Sequence, residues 1–162
     1  MSEVIKVGMA DSKICVSPDA LITLGLGSCV GIALRDPNKK IGGLAHIMLP
    51  DSTKIAENSN VNKFADTGID EVIRLMIAKG ADRRKLVAKI AGGAQMFNFG
   101  NNSTNTIRVG ERNIEATIAK LSQLRIPILA KDVGDSYGRT VTFYPEDGSF
   151  KISAVGKSVK II

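Results

Sequence analysis

Cys29-Val-Gly-Ile-Ala-Leu-Arg-Asp36-Pro37-Asn38-Lys39-Lys-Ile-Gly-Gly-Leu-Ala-His46 is the stretch whose pairing decides how this chain folds. The apolar runs Val30 to Leu34 and Ile41 to Leu49 flank Asp36-Pro37-Asn38-Lys39. Proline there fixes the first central angle of a turn, and aspartate favours the position before it. The two runs are therefore predicted to form a hairpin. If Asp36 pairs with Lys39, positions whose numbers sum to 75 lie opposite each other, and Cys29 faces His46. Directly opposed residues share a face of the sheet, with β-carbons roughly 4.5 to 5.5 Å apart, close enough for a thiol and an imidazole to interact. Gly31, Ala33 and Gly42 fall on the same face, as small residues that allow close packing beneath a site. Proline cannot adopt the primed turns that two-residue hairpins prefer, so a longer loop stays open, and a one-residue slip would separate the pair across the sheet.

On the N-terminal side, Val4 to Met9, Ile14 to Val16 and Leu21 to Leu24 are short apolar runs divided by Asp-Ser-Lys and Ser-Pro-Asp clusters, which reads as a meander. On the C-terminal side, Asp51 to Asn62 is a polar loop able to border a site. A helix follows, capped by Asp66 or Thr67, with Ile69, Val72, Ile73, Met76 and Ile77 as its buried face and Gly80 as its stop. Leu86 to Ile90 is a buried strand running into Gly92-Gly93-Ala94, and Phe97 to Asn105 a polar loop. A second helix starts near Gly110 with the stripe Ile114, Ile118, Leu121 and Leu124. Ile128 to Val133 and Thr140 to Tyr144 are strands, and a last hairpin turns at Glu146-Asp147-Gly148 into Phe150 to Val155. Strands outnumber helices, which predicts an α/β fold: a mixed β-sheet sandwich covered by helices. The tail from Gly156 to Ile162 carries no readable motif.

At 162 residues, 44% of them hydrophobic and with a mean hydropathy of +0.08, the chain fits one domain spanning 1–162 and lacks the signature of disorder. No apolar run reaches the roughly 18 residues that span a bilayer, and the start lacks a signal-peptide pattern, so the expected address is cytoplasmic. Two cysteines held reduced there argue against a disulfide, and one histidine with no metal-ligand spacing argues against a metal. A net charge of +6 invites the thought of nucleic acid. Yet the cations are spread along the chain and only 4% of residues are aromatic, leaving few stacking platforms, while an acidic protein surface accounts for the charge equally well.

The chemistry concentrates in Thr23-Leu24-Gly25-Leu26-Gly27-Ser28-Cys29. Alternating glycines open backbone conformations closed to other residues and expose main-chain N–H groups, as an acyl-transfer site requires; Gly27 and Ser28 are the candidate oxyanion and substrate-binding positions. With His46 as base, the Cys29 thiolate attacks a carbonyl carbon, and the imidazolium protonates the leaving group. Thr23 is the candidate third member, its hydroxyl accepting from the imidazole N–H without adding charge. Cys15 has neither a glycine setting nor an acid or base nearby and reads as structural.

These residues resemble CheD, the chemoreceptor glutamine deamidase family of bacterial and archaeal chemotaxis. The likeness runs through Thr23 to Cys29, Gly42-Gly-Leu-Ala-His-Ile-Met-Leu-Pro50 with Asp51, Lys89-Ile-Ala-Gly-Gly-Ala94, Gly110-Glu-Arg-Asn113 and Asp132 to Arg139. It implies an α/β sandwich with catalytic Cys29, His46 and Thr23. The implied reaction is hydrolysis of glutamines in methyl-accepting chemotaxis receptors to glutamate through a thioester, with no cofactor. It further implies receptor methylesterase activity and a CheC-type phosphatase as partner. One departure is Asp135, which stands after Gly134 where the family usually has a second glycine. The alternative from a different class is a binding module that engages phosphatase and receptor, with catalysis secondary.

Overall fold

The computed structural model describes residues 2–96 and 108–162. In chain order its strands are β1 (Val4–Lys6), β2 (Asp11–Val16), β3 (Ala20–Leu26), β4 (Val30–Asp36), β5 (Ile41–Ile47), β6 (Val87–Gly92), β7 (Ile128–Val133), β8 (Arg139–Tyr144), β9 (Ser149–Ser153) and β10 (Lys160–Ile161); its helices are α1 (Ala65–Lys79) and α2 (Val109–Gln123). The strands sort into two five-stranded sheets, β1-β3-β8-β9-β10 and β2-β5-β4-β6-β7. Both are mixed, because β1 runs parallel to β3 and β6 to β7 while the other pairs are antiparallel. The mixed-sheet sandwich with helices expected from the sequence is the architecture observed.

The second sheet is the middle layer. Every residue of β5 is buried, and all but one of β4, so both faces of these strands carry core. On one face Val30, Ile32, Leu34, Ala45 and Ile47 pack under Ile69, Val72, Ile73 and Met76 of α1. On the other, Ala33, Leu44 and Cys29 meet Leu21, Leu26, Val141 and Phe143 of the first sheet. Small residues set the spacing: a Cβ on Gly42 would come within 2.5 Å of Pro145, and one on Gly43 within 2.6 Å of Val72 on the opposite side.

Four expectations need correction. The N-terminal half is not a meander. β2 pairs with β5, whereas β1 and β3 pair with each other in the other sheet, so successive strands cross between layers. Covering both faces of the middle sheet demands that alternation. The β4–β5 hairpin does form, but Asp36 pairs with Ile41 and Gly31 with His46, so opposed positions sum to 77. Proline excludes the primed two-residue turn, and the longer loop closes around Asp36, whose side chain accepts from Asn38 N (2.9 Å) and Lys39 N (3.2 Å), with Lys40, at φ +53°, bringing the chain back into the ladder. Helix α1 starts before Asp66 and Thr67, with no side-chain cap; the Asp66 carboxylate instead accepts from Ser52 N (3.1 Å) and Oγ (2.7 Å), and Thr67 Oγ1 donates to the Val61 carbonyl. Ile77 is exposed, lying off the stripe formed by Ile69, Val72, Ile73 and Met76. Gly80 terminates the helix at φ 114°, as expected. The tail, unreadable in the sequence, adds β10 to the edge of β9. The loop expected over Phe97 to Asn105 lies outside the described residues.

Candidate active site

Thr23 and His46 reach each other from different sheets. Both are fully buried, and Thr23 Oγ1 lies 2.7 Å from His46 Nδ1 across the sandwich. The same hydroxyl donates to the Val7 carbonyl at 2.8 Å. A hydroxyl has one proton to give. Since a carbonyl can only accept, that proton goes to Val7, and Thr23 must accept from the imidazole. His46 therefore carries its hydrogen on Nδ1 and presents Nε2 as a bare lone pair. Among the described residues Nε2 has no hydrogen-bond partner. Burial pushes the His46 pKa down to about 4, so the ring is neutral at physiological pH.

Cys29 sits one residue before β4 and keeps 7% of its surface exposed. Its place relative to His46 follows from the ladder. Gly31 stands opposite His46, and Cys29, two residues earlier, shares its face, making thiol and imidazole diagonal neighbours at a Cα separation of roughly 7 Å. A register change of two positions in the sum preserves the face, where a change of one would not. Burial raises the thiol pKa, with the residue's own backbone N–H pulling the other way. At rest, then, both groups are uncharged.

The glycine segment is held from below by the end of β6. Gly93 N donates to the Cys29 carbonyl and Ala94 N to the Gly27 carbonyl, each at 2.8 Å. Gly92 must be glycine for two reasons: its φ is +109°, and a Cβ there would sit 2.3 Å from the Cys29 carbonyl oxygen. Upstream, β3 bulges between Thr23 and Leu26. The two candidate oxyanion positions differ. Gly27 N–H donates to the Gly25 carbonyl at 3.0 Å, whereas the N–H groups of Ser28 and Cys29 carry no such bond among the described residues.

Open cavities flank the pair and are not lined by it. One of about 480 Å³ lies against Gly25, Tyr137 and Arg139; another of about 770 Å³ lies between Leu49 to Ile55 and the α2 residues Val109, Arg112 and Ala116. Asp135, the departure noted above, has φ 59°, a left-handed conformation that glycine adopts more readily, and its carbonyl accepts from Gln95 N at 2.8 Å. Cys15 is a free, buried thiol in the ladder opposite Gly42, its pKa pushed up to about 12 by burial and Asp19. Among the described residues no group of three or more His, Cys, Asp or Glu side chains is gathered to hold a metal ion.

Three neighbours of the pair were not singled out by their roles in the sequence. The Val7 carbonyl carries no side-chain signal at all. Met96, exposed, would lie 3.1 Å from a Cβ on Gly27. Asn113 is fully buried on α2 and donates to the carbonyls of Ser28 and Met48. Its signal was present: Gly110, Asn113, Thr117 and Leu121 are buried at helical spacing, but the stripe is polar at its centre and hydrophobic periodicity passes over it.

Comparison with known proteins agrees in one direction. A sequence model described as CheD chemotactic sensory transduction matches residues 48–154. Over the full length of both chains, the sequence is 61% identical to a protein of Lachnoclostridium phytofermentans named probable chemoreceptor glutamine deamidase CheD. It is 53% identical, over 99% of each chain, to a protein of that name from Caldanaerobacter subterraneus subsp. tengcongensis. It is 49% identical, over the full length of both, to the chemoreceptor glutamine deamidase CheD of Halalkalibacterium halodurans.

Proposed function

The chain belongs to the CheD family, and from that premise we propose that it hydrolyses selected glutamine side chains of chemoreceptors to glutamate, with Cys29 as nucleophile, His46 as base and Thr23 orienting the base. The observation that carries the reading is the buried relay from the Val7 carbonyl through Thr23 to His46 Nδ1, which leaves Nε2 unprotonated and, among the described residues, unpartnered on the face shared with Cys29.

The chemistry runs from a neutral pair. His46 Nε2 takes the thiol proton as sulfur bonds to the amide carbon, giving a tetrahedral oxyanion. Among the described residues the Ser28 and Cys29 N–H groups donate to no main-chain carbonyl and are the readiest donors to that oxygen; Gly27 N–H joins only by leaving Gly25. The imidazolium returns its proton to the departing nitrogen, releasing ammonia and leaving a thioester. Water, deprotonated by the same Nε2, then hydrolyses the thioester to a carboxylate and regenerates the thiol. No step draws on a cofactor.

A receptor methyl ester differs from the amide in its leaving group alone, so the same thiol would serve a methylesterase activity. The CheC-type phosphatase partner rests on the family likeness, and the cytoplasmic address on the sequence pattern. Beside them stands one fact: among the described residues no helix is long and apolar enough to cross a membrane.

The test is intact-mass measurement of a receptor cytoplasmic fragment incubated with wild-type protein or with Cys29→Ala. Wild type is expected to add about one dalton per converted glutamine, and the variant nothing. Equal gain from both would remove Cys29 from the chemistry; no gain from either would leave the protein as a binding module.

A further inference from the structure

We infer that Asn113 is a positioning residue for this reaction, holding the nucleophile's loop and the end of the base's strand in fixed relation; the inference rests on the assignment of Cys29 and His46 made above. Its side chain is fully buried on α2, and its Nδ2 donates to two main-chain oxygens, Ser28 O and Met48 O, each at 2.9 Å. Ser28 immediately precedes Cys29, and Met48 follows His46 by two residues. One amide group thus ties together the two segments that carry thiol and imidazole.

The helix is brought close enough for this by a glycine one turn earlier. A Cβ on Gly110 would lie 2.4 Å from the Ala94 carbonyl oxygen and 2.6 Å from that of Gly93, so the first turn of α2 packs directly on backbone. That backbone is the same Gly93–Ala94 pair whose N–H groups hold Cys29 and Gly27. Helix, β6 end and nucleophile loop therefore form one unit, and Asn113 extends it to β5.

The chemistry of the tie is specific. Both acceptors are carbonyls, which fixes the amide with its NH2 toward them and Oδ1 away, and among the described residues Oδ1 has no partner. An aliphatic side chain would fill the space and leave both carbonyls unpaired. Aspartate, nearly the same shape, offers no pair of hydrogens and sets oxygen against oxygen.

The experiment compares wild type, Asn113→Asp, Asn113→Gln and Cys29→Ala. It measures kcat and KM for deamidation of a receptor fragment, the pH profile of Cys29 alkylation by iodoacetamide read by peptide mapping, and thermal unfolding. Asn113→Asp is expected to lower kcat roughly 100-fold with KM within about twofold, and to shift the alkylation profile. Asn113→Gln, which keeps two donors, should recover part of kcat. Should Asn113→Asp fail to fold, Asn113→Ser, with a single donor, is measured in its place. Wild-type kcat and alkylation profile in a folded Asn113→Asp or Asn113→Ser would overturn the inference, as would a loss that merely tracks the unfolded fraction. Full deamidation by Cys29→Ala would instead overturn the mechanism beneath it, so the two failures are distinct.

Discussion

The two cores on either side of the middle sheet are built from different materials. Under α1 the helix-facing side is hydrocarbon: Val30, Ile32, Leu34, Ala45 and Ile47 meet Ile69, Val72 and Met76. The side facing the other sheet mixes Leu21, Leu26, Leu44, Val141 and Phe143 with groups that hydrocarbon does not hold cheaply. Thr23 and His46 are buried there, and so is Arg139 on β8, whose Nε donates to Asp132 (3.1 Å) and Nη1 to the Gly134 carbonyl (3.0 Å). A buried polar atom without a partner costs roughly 1 to 3 kcal/mol, and both His46 Nε2 and Arg139 Nη2 lack one among the described residues. The two other orphaned atoms among the described residues, Asn113 Oδ1 and Thr117 Oγ1, sit on α2, so it is the contact with α1 that is purely hydrocarbon, while the layer between the sheets holds the orphaned base and guanidinium. A layer that gives up stability in this way is where chemistry is to be sought.

That division is broken or sustained by a crossed pair of substitutions. Thr23→Val keeps the shape of the side chain but removes both the acceptor for Nδ1–H and the donor to Val7. The imidazole is then free to carry its proton on Nε2, and kcat should fall by roughly a hundred- to a thousandfold, with Thr23→Ser restoring most of it. Ile32→Ala, on the hydrocarbon side, should lower the unfolding free energy by roughly 2 to 5 kcal/mol while leaving kcat per folded molecule within about twofold. Denaturant titration alongside steady-state kinetics reads both. If Ile32→Ala reduced kcat as far as Thr23→Val does, the two layers would not be separable.

Acid should weaken the polar layer by a smaller amount, and in a direction set by the histidine. An unfolded imidazole protonates near pH 6.5, but burial holds the folded one down at about 4. Between those values the unfolded state binds more protons, so stability rises with pH. The contribution of the neutral ring is complete above pH 6.5 and is lost as pH falls toward 4, a change on the order of 3 kcal/mol. Carboxylates add their own acid sensitivity, so the measurement is the difference in slope between wild type and His46→Gln, which has no ring to protonate. Parallel slopes would mean that His46 is not held neutral by the fold.

How far this was readable from the sequence depended on what kind of signal each feature left. Short apolar runs bounded by turn residues located nearly every strand, because a buried strand excludes the polar residues that a turn requires, and Gly80 announced the end of α1. Pairing left no comparable signal. β2 goes to β5 across a layer boundary that no local pattern marks. The thiol and imidazole were legible as a pair because an error of two in the summed register keeps both on one face. Asn113 stood within a recognised block but without a role, since a polar residue in a buried stripe looks like an interruption of the core until its two carbonyl acceptors are known. The Val7 carbonyl could not have been found, as a main-chain atom has no letter.

The smallest expected effect concerns what fixes the β4–β5 register, on which both cores depend. Lys40 holds φ +53°, a conformation that suits glycine better, and its Nζ pairs with Glu146 at 2.9 Å on the exposed surface. Lys40→Gly would relieve about 1 kcal/mol of left-handed strain, lose a surface ion pair worth about 0 to 1 kcal/mol, and loosen the unfolded chain. These offset, and the net change should stay within about 0.5 kcal/mol with kcat unaltered. If the turn set the register, relaxing it would instead let the hairpin slip, and both cores would suffer together. The contrast between the faces argues against that outcome: one residue of slip would turn Val30, Ile32 and Leu34 toward Phe143 and Pro145, where Gly42 already leaves no room for a Cβ, and would offer Gly31 and Ala33 to α1. The difference in material between the two layers is what locks the strands that carry Cys29 and His46 in place.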